Sequence, residues 1–351
     1  MLNSLYIKNF RNLEELTIES LGRVNLITGK NNTGKSSVLE AVALWVTDGN
    51  LHLLSRMIYD RGEFIEEDYT NPRESNIKSF SSIFTNRHIG YDVKDSIRIG
   101  TSPANSLILK FSKHQHKDFF KETNDPIYDE RELISFESFN NAEKRLRGLH
   151  IEEVLPIEQY LNIEFSEFKL VSSQQINRLN DDNLFDNIAL TEKEQYVIDA
   201  LRIIEPKTQR IAFVQQNGHR KAVIKLKDTS EVLPLQGMGD GINRILTIIL
   251  ALVNCEKGYL LIDEFENGLH HTVQEQLWRV IFYLVEKLDI QVFATTHSWD
   301  CIEAYENVLN DEEIKTDGKL IRLEHKNDKI RAVAYRKSQL KSATDFGIEV
   351  R

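Results

Sequence analysis

Cysteine is almost missing from this chain: Cys255 and Cys301 are the only two in 351 residues. They stand far apart in apolar or helical surroundings. No zinc-site spacing exists, and both read as buried thiols of a reducing compartment. A membrane-length apolar run is missing too. The longest, Ile245 to Val253 with a single threonine, is far short of the roughly 20 residues a spanning helix needs. The opening Met1-Leu2-Asn3-Ser4-Leu5 has no signal-peptide layout, so a soluble, cytoplasmic protein is expected. Positive charge is in deficit, with 44 Lys and Arg against 54 Asp and Glu and a formal charge of −10. That balance argues against bulk coating of nucleic acid, although a local basic face survives such an average. The rest is ordinary for a globular protein, with 41% hydrophobic and 28% charged residues. The length allows two or three domains, or one large domain carrying an insertion.

Against that background one stretch stands out. Gly29-Lys30-Asn31-Asn32-Thr33-Gly34-Lys35-Ser36 fits a glycine, four free positions, then Gly-Lys-Ser. It follows an apolar run, Val24 to Ile27, that reads as a buried strand, and precedes Ser37 to Trp45, which reads as a helix. Strand, glycine loop and helix together make a phosphate cradle. Gly29 and Gly34 let the backbone wrap a phosphate chain, and the loop residues Asn31, Asn32, Thr33 and Ser37 complete the cradle. The helix start adds a favourable dipole. Lys35 is expected at the β- and γ-phosphates, with the Ser36 hydroxyl on Mg²⁺. A chance match in a chain of this length is on the order of 1%. Binding of a nucleoside triphosphate with Mg²⁺ is the expectation.

Leu5 to Arg11 alternates like a half-buried strand, and Leu16 to Glu19 suggests its partner. Two short strands ahead of the loop strand make an antiparallel ribbon beside a nucleotide site. Ile7-Lys8-Asn9-Phe10-Arg11-Asn12, followed by the Gly-Lys-Asn-Asn-x-Gly-Lys-Ser loop, resembles the opening of ABC-type ATPases of the SMC, RecF and OLD (overcoming-lysogenisation-defect) group. The resemblance implies that Arg11 lies near the bound nucleotide. The plain alternative is a solvated strand end.

Three further stretches stand in the order that group implies. Leu235 to Arg244, running into the apolar helix Ile245 to Val253, resembles an ABC signature motif, a small-residue turn capping a helix. Its Gly237, Gly239 and Asp240 would face the γ-phosphate of another subunit, a second anion site without a lysine. Gly237 stands where the group usually carries serine. Next, Leu260-Leu261-Ile262-Asp263-Glu264 reads as a Walker B strand ending in two acids. Asp263 is expected in the Mg²⁺ shell and Glu264 as the residue that orients or deprotonates the attacking water. Glu266 and the following Asn267, Gly268, Leu269 and His270 resemble the D-loop of a subunit interface. Last, Val292-Phe293-Ala294-Thr295-Thr296-His297-Ser298 resembles an H-loop, in which His297 senses the γ-phosphate.

Between Gly49 and about Pro206 the pattern loosens. Strand-like pieces appear at Ile97 to Gly100 and Ser106 to Phe111. Glu192 to Ile203 reads as an amphipathic helix with Val197, Ile198, Leu201 and Ile204 on one face. No long heptad pattern and no Cys-x-x-Cys hook occurs, which argues against SMC-type arms. Lys113, His114, His116 and Lys117, with Phe119 and Phe120, read as a solvated face, with nucleic-acid contact as the sharper alternative. Arg210 to Val214 and Lys221 to Leu226 flank an Asn217-Gly218 turn as a hairpin. Lys319 to Leu323 and Ile330 to Ala334 form another around Lys326-Asn327-Asp328. Too few residues follow His297 for the TOPRIM nuclease module of OLD-type nucleases.

The expected fold is therefore a single α/β ABC-type ATPase head over 1–351, mostly parallel at its core, with an antiparallel ribbon. An insertion of mixed strands and helices, 49–205, is expected between the P-loop lobe and the 206–351 lobe. The expected activity is slow, Mg²⁺-dependent hydrolysis of ATP by a head-to-tail homodimer, with Lys35, Glu264 and His297 catalytic. It would act as a nucleotide-gated switch in a phage-defence or DNA-related system. Its partner would be a separate effector, a TOPRIM-like nuclease or toxin docked on the insertion. The competing expectation is a RecF-like repair ATPase that binds nucleic acid directly. A third is an ATP-gated scaffold that rarely hydrolyses.

Overall fold

Successive side chains of a strand point to opposite faces, so a strand apolar at every position must be covered on both sides. The computed structural model describes residues 1–65, 72–115, 132–140, 144–151, 165–172, 181–216, 218–327, 329–335 and 337. It opens with strands β1 (Leu5–Phe10) and β2 (Leu13–Ile18), then β3 (Val24–Gly29), buried at every position. Helices α1 (Lys35–Val46), α2 (Leu51–Asp60) and α3 (Pro72–Ser81) follow. The Asn50 side chain caps α2 by accepting from the His52 and Leu53 N–H groups. Strands β4 (Ile97–Ser102), β5 (Asn105–Gln115), β6 (Glu132–Phe139), β7 (Arg145–His150) and β8 (Phe168–Val171) come next. After them come α4 (Asp181–Asp186), α5 (Glu192–Leu201), β9 (Thr208–Gln216), β10 (His219–Leu226) and β11 (Val232–Pro234). The last third alternates α6 (Asp240–Val253), β12 (Tyr259–Ile262), α7 (His271–Lys287), β13 (Gln291–Thr295) and α8 (Trp299–Asn310). The hairpin β14 (Gly318–Lys326) and β15 (Lys329–Tyr335) closes the described chain.

The strands form three sheets. The central one runs β15-β14-β3-β13-β12-β8, parallel throughout except for the antiparallel edge strand β15. Its residues alternate between two apolar cores. Leu26, Leu260, Ile262, Val292 and Ala294 face α4 to α8, whereas Ile27, Leu261, Phe293 and Ile321 face α1, α2 and the second sheet. Each such side chain, fully buried, contributes about 1.5–3 kcal/mol. The second sheet, β2-β1-β4-β5-β6-β7, is wholly antiparallel, and the third is the small β11-β10-β9 sheet.

Two features depart from the sequence reading. The antiparallel ribbon is larger than two strands, because β4 hydrogen-bonds to β1 and β5 to β7 extend the sheet. Pairing across some 90 residues of chain leaves no local signature, so the ribbon alone was legible. The final hairpin is likewise part of the core, since β14 pairs in parallel with β3 from Gly318 opposite Val24 to Leu323 opposite Gly29. The segment 49–205 thus supplies strands to both large sheets, with β8 at the edge of the parallel one. Of the basic run, His114 is half-buried, its Nε2 3.1 Å from Glu137 Oε1, and Lys113 lies over the Tyr91 ring. His116, Lys117, Phe119 and Phe120 lie outside the described residues, as do Asn217 and Asp328 in the two turns.

Candidate nucleotide site

Parallel strands deliver their C-terminal ends to one edge of the sheet, where ligands gather. Here β3, β12 and β13 bring the glycine loop, Asp263-Glu264 and Thr295-Thr296-His297 to that edge. The loop needs glycine at two positions. Gly29 sits at φ 145°, and a Cβ there would meet the Leu323 carbonyl oxygen at 2.5 Å. Gly34 sits at φ 86°, where a Cβ would meet Leu13 Cδ2 at 2.7 Å. Gly34 also caps α1 without any side-chain bond, which leaves the first N–H groups of that helix available to an anion. Thr33 turns inward, its hydroxyl donating to the Lys30 carbonyl at 2.8 Å. Lys35 Nζ donates to the carbonyls of Gly29 at 2.7 Å and Lys30 at 3.1 Å, so its ammonium folds back onto the loop. Burial lowers the Lys35 pKa, against the opposing pull of the Asp263, Glu266 and Glu264 carboxylates.

Asp263 is the meeting point. Ser36 Oγ donates to its carboxylate at 3.1 Å from either oxygen, and Thr295 Oγ1 donates to Oδ1 at 2.7 Å. Thr295 also accepts the Glu264 N–H at 2.9 Å. Glu264 itself adopts a left-handed backbone at φ 50°, uncommon for a residue with a Cβ and a mark of a constrained site. Arg244, from the first turns of α6, reaches under this turn and donates to the carbonyls of Ser172, Asp263 and Glu264 at 2.9, 2.9 and 3.0 Å. Burial lowers its pKa, with the Asp263, Glu264 and Glu266 carboxylates opposing. Sequence reading gave Thr295 and Arg244 no role. A hydroxyl residue ending an apolar strand and an arginine inside an apolar helix were the available signals.

The loop opens onto a cleft of about 620 Å³ lined by Asn31, Asn32, Gly34, Lys35, Ser36 and Ser37, with Asp263 and Glu264 at its floor. Arg11 forms one wall, so it is not a solvated strand end: its side chain is 4% exposed. Its Nε pairs with Glu40 Oε2 at 3.1 Å, and Nη1 pairs with Glu63. Arg61, unnoticed in the sequence, donates from Nε to the other Glu40 oxygen at 2.7 Å and also faces the cleft. Burial alone would lower the Arg61 pKa, but Glu40, Glu63 and Asp263 together raise it. Two arginines thus share Glu40, a residue of helix α1.

His297 and the D-loop residues stand beside this centre rather than in it. The His297 N–H and Nδ1 both approach Glu266 Oε1, at 2.9 and 3.0 Å. That leaves Nε2 as the ring atom free to meet a ligand. Asn267, Gly268 and His270 are exposed, while Leu269 is buried; His270 caps α7. Gly237, Gly239 and Asp240 are also exposed and lie outside the lining of the cleft. No cluster of histidine, cysteine and acidic side chains suited to a transition metal occurs among the described residues, and no described helix is long and apolar enough to cross a membrane.

A mostly parallel sheet with this loop, its acidic strand end and an antiparallel second sheet give an α/β fold of the kind seen in SMC heads. The head of an SMC protein, solved bound to the C-winged helix domain of ScpA, superposes with a TM-score of 0.51 at 12% identity, over 98% of this chain and 99% of that one. The chain belongs to the family described as "AAA domain, putative AbiEii toxin, Type IV TA system", which matches residues 24–300. It is 27% identical to an ATP/GTP phosphatase of Helicobacter pylori over 91% of both chains. A stretch of 41 residues is 51% identical to the DNA replication and repair protein RecF of Pseudoalteromonas translucida, covering 12% of this chain and 11% of that one.

Proposed function

We propose that this protein is a Mg²⁺-dependent ATPase that serves as a nucleotide-gated dimeric switch of the OLD-like kind. The observation that carries the reading is the Ser36–Asp263 hydrogen bond, which brings the hydroxyl of the loop and the carboxylate of the acidic strand to one point. These are hard oxygen donors at a spacing one small cation can share, so Ser36 and Asp263 would hold Mg²⁺. When bound, that ion would supply positive charge that neutralises the phosphates.

The remaining work falls to the chain. Lys35 trades the Gly29 and Lys30 carbonyls for phosphate oxygens, and Arg11 lies along the cleft wall. Glu264, its N–H fixed by Thr295, orients or deprotonates the attacking water. His297 meets the γ-phosphate through Nε2. The exposed Gly237, Gly239 and Asp240 fit a role against the nucleotide of a second copy, with Asn267 to His270 at the same interface. Gly237 offers no hydroxyl, consistent with slow turnover.

The dimer then has two geometries, and a partner that prefers one of them is coupled to ATP. A separate effector, a TOPRIM-like nuclease or toxin docked on 49–205, suits a family whose description names a toxin–antitoxin system. The test is mass by light scattering with and without ATP. ATP should favour the dimer, and Gly239→Arg should abolish that gain. Equal masses for both chains in both conditions would sink the switch.

A further inference from the structure

We propose that Arg244 is a positioning residue for Glu264, through which the start of helix α6 governs the acidic turn. The assignment rests on the ATPase reading above. Glu264 holds a left-handed backbone at φ 50°, a conformation that costs about 1–3 kcal/mol in a residue with a side chain and persists only where its surroundings impose it. Two groups impose it. Thr295, on the rigid sheet, takes the Glu264 N–H at 2.9 Å. Arg244 Nη2 takes the Asp263 and Glu264 carbonyls, which flank the Glu264 Cα, at 2.9 and 3.0 Å, and Nη1 is anchored on the Ser172 carbonyl at 2.9 Å.

The two supports differ in what moves them. Thr295 moves only with the central sheet, whereas Arg244 moves with α6. The first turn of α6 also lies beside the 266–270 loop. A Cβ on Gly241 would sit 3.3 Å from the Gly268 carbonyl oxygen, and one on Gly268 would sit 3.8 Å from Asp240 Cβ. A displacement of the exposed Gly239–Asp240 end that carries Arg244 with it would reach the Asp263 and Glu264 carbonyls through a planar fork. Only arginine spans three acceptors on two elements in this way; a lysine is a single point of charge. The Arg244 hydrogen bonds all go to main-chain oxygens, so they hold the turn itself, with the Asp263, Glu264 and Glu266 carboxylates nearby as favourable charge.

The test uses the full-length chain with Arg244→Lys and Arg244→Gln, comparing kcat, KM for ATP, the Kd of a fluorescent ATP analogue and the melting temperature. In the folded variants kcat should fall about 10- to 100-fold, as for a small misplacement of a reacting group. The analogue's Kd should stay within roughly threefold, because the cradle itself is untouched. Arg244→Lys keeps a cation in the buried site and serves if the glutamine variant fails to fold. In a Glu264→Gln background, adding Arg244→Lys should leave the residual rate unchanged, since it acts through Glu264. A folded Arg244→Lys with the parent kcat, or losses that multiply in the double variant, would overturn the assignment alone. A parent chain that hydrolyses no nucleotide would overturn the ATPase reading as well.

Discussion

Ser36 and Asp263 are 227 residues apart in the chain and hydrogen-bonded in the fold, at 3.1 Å from the hydroxyl to either carboxylate oxygen. The strands that lead into them, β3 and β12, are not neighbours; β13 runs between them. Thr295 at the end of β13 fills the space and donates to the same carboxylate at 2.7 Å. Two motifs far apart in sequence therefore converge on one set of oxygens, and the third motif supplies the spacer.

Asp263→Asn keeps the size of that group and removes its charge. The amide is a poor ligand for a hard divalent cation beside phosphate. Hydrolysis should lose its response to Mg²⁺ across the usual millimolar range, with turnover down about 100-fold, or near 2.7 kcal/mol of transition-state stabilisation. A Mg²⁺ titration of phosphate release checks this. A parent-like Mg²⁺ response would place the cation elsewhere.

Thr295→Val preserves shape and deletes the hydroxyl that both donates to Asp263 and accepts from Glu264. It leaves the Glu264 N–H without its acceptor, a loss of about 1–3 kcal/mol where water cannot replace it. Thermal unfolding should show that loss, and turnover should drop more than affinity for ATP. Thr295→Ser, which restores the hydroxyl, should recover both. A serine variant no better than valine would mean that the methyl group, not the hydroxyl, matters at this position.

What the sequence revealed and what it hid follow from the range of the interactions involved. The shape of the Gly29 to Ser36 loop was legible because it is set locally, by two glycines and one lysine between a strand and a helix. Asp263 and Glu264 were legible because a buried parallel strand must be apolar until it reaches the sheet edge. The roles of Arg244, Arg61 and Thr295 were not, since each depends on a partner far along the chain. Arg244 meets Ser172 and the 263–264 turn, and Arg61 shares Glu40 with Arg11. The six-stranded antiparallel sheet was hidden for the same reason, its first two strands joined to the next four across a long intervening stretch. Arg11 was assigned to the nucleotide through the Phe10-Arg11 opening, and the structure adds the carboxylates of Glu40 and Glu63 that hold it against the cleft.

The most direct measurement is phosphate release by Glu264→Gln beside the unaltered chain, both at saturating ATP and Mg²⁺. The substitution keeps the left-handed turn, the Thr295 hydrogen bond and the Arg244 contacts, all of which involve the main chain at this residue. It removes only the carboxylate proposed to handle the water. Turnover about 100-fold slower, a change of about 2.7 kcal/mol in the barrier, with ATP still bound after rapid gel filtration, is the expected result. Equal turnover in the two proteins would remove Glu264 from the chemistry and contradict the assignment of this cleft as the site of hydrolysis.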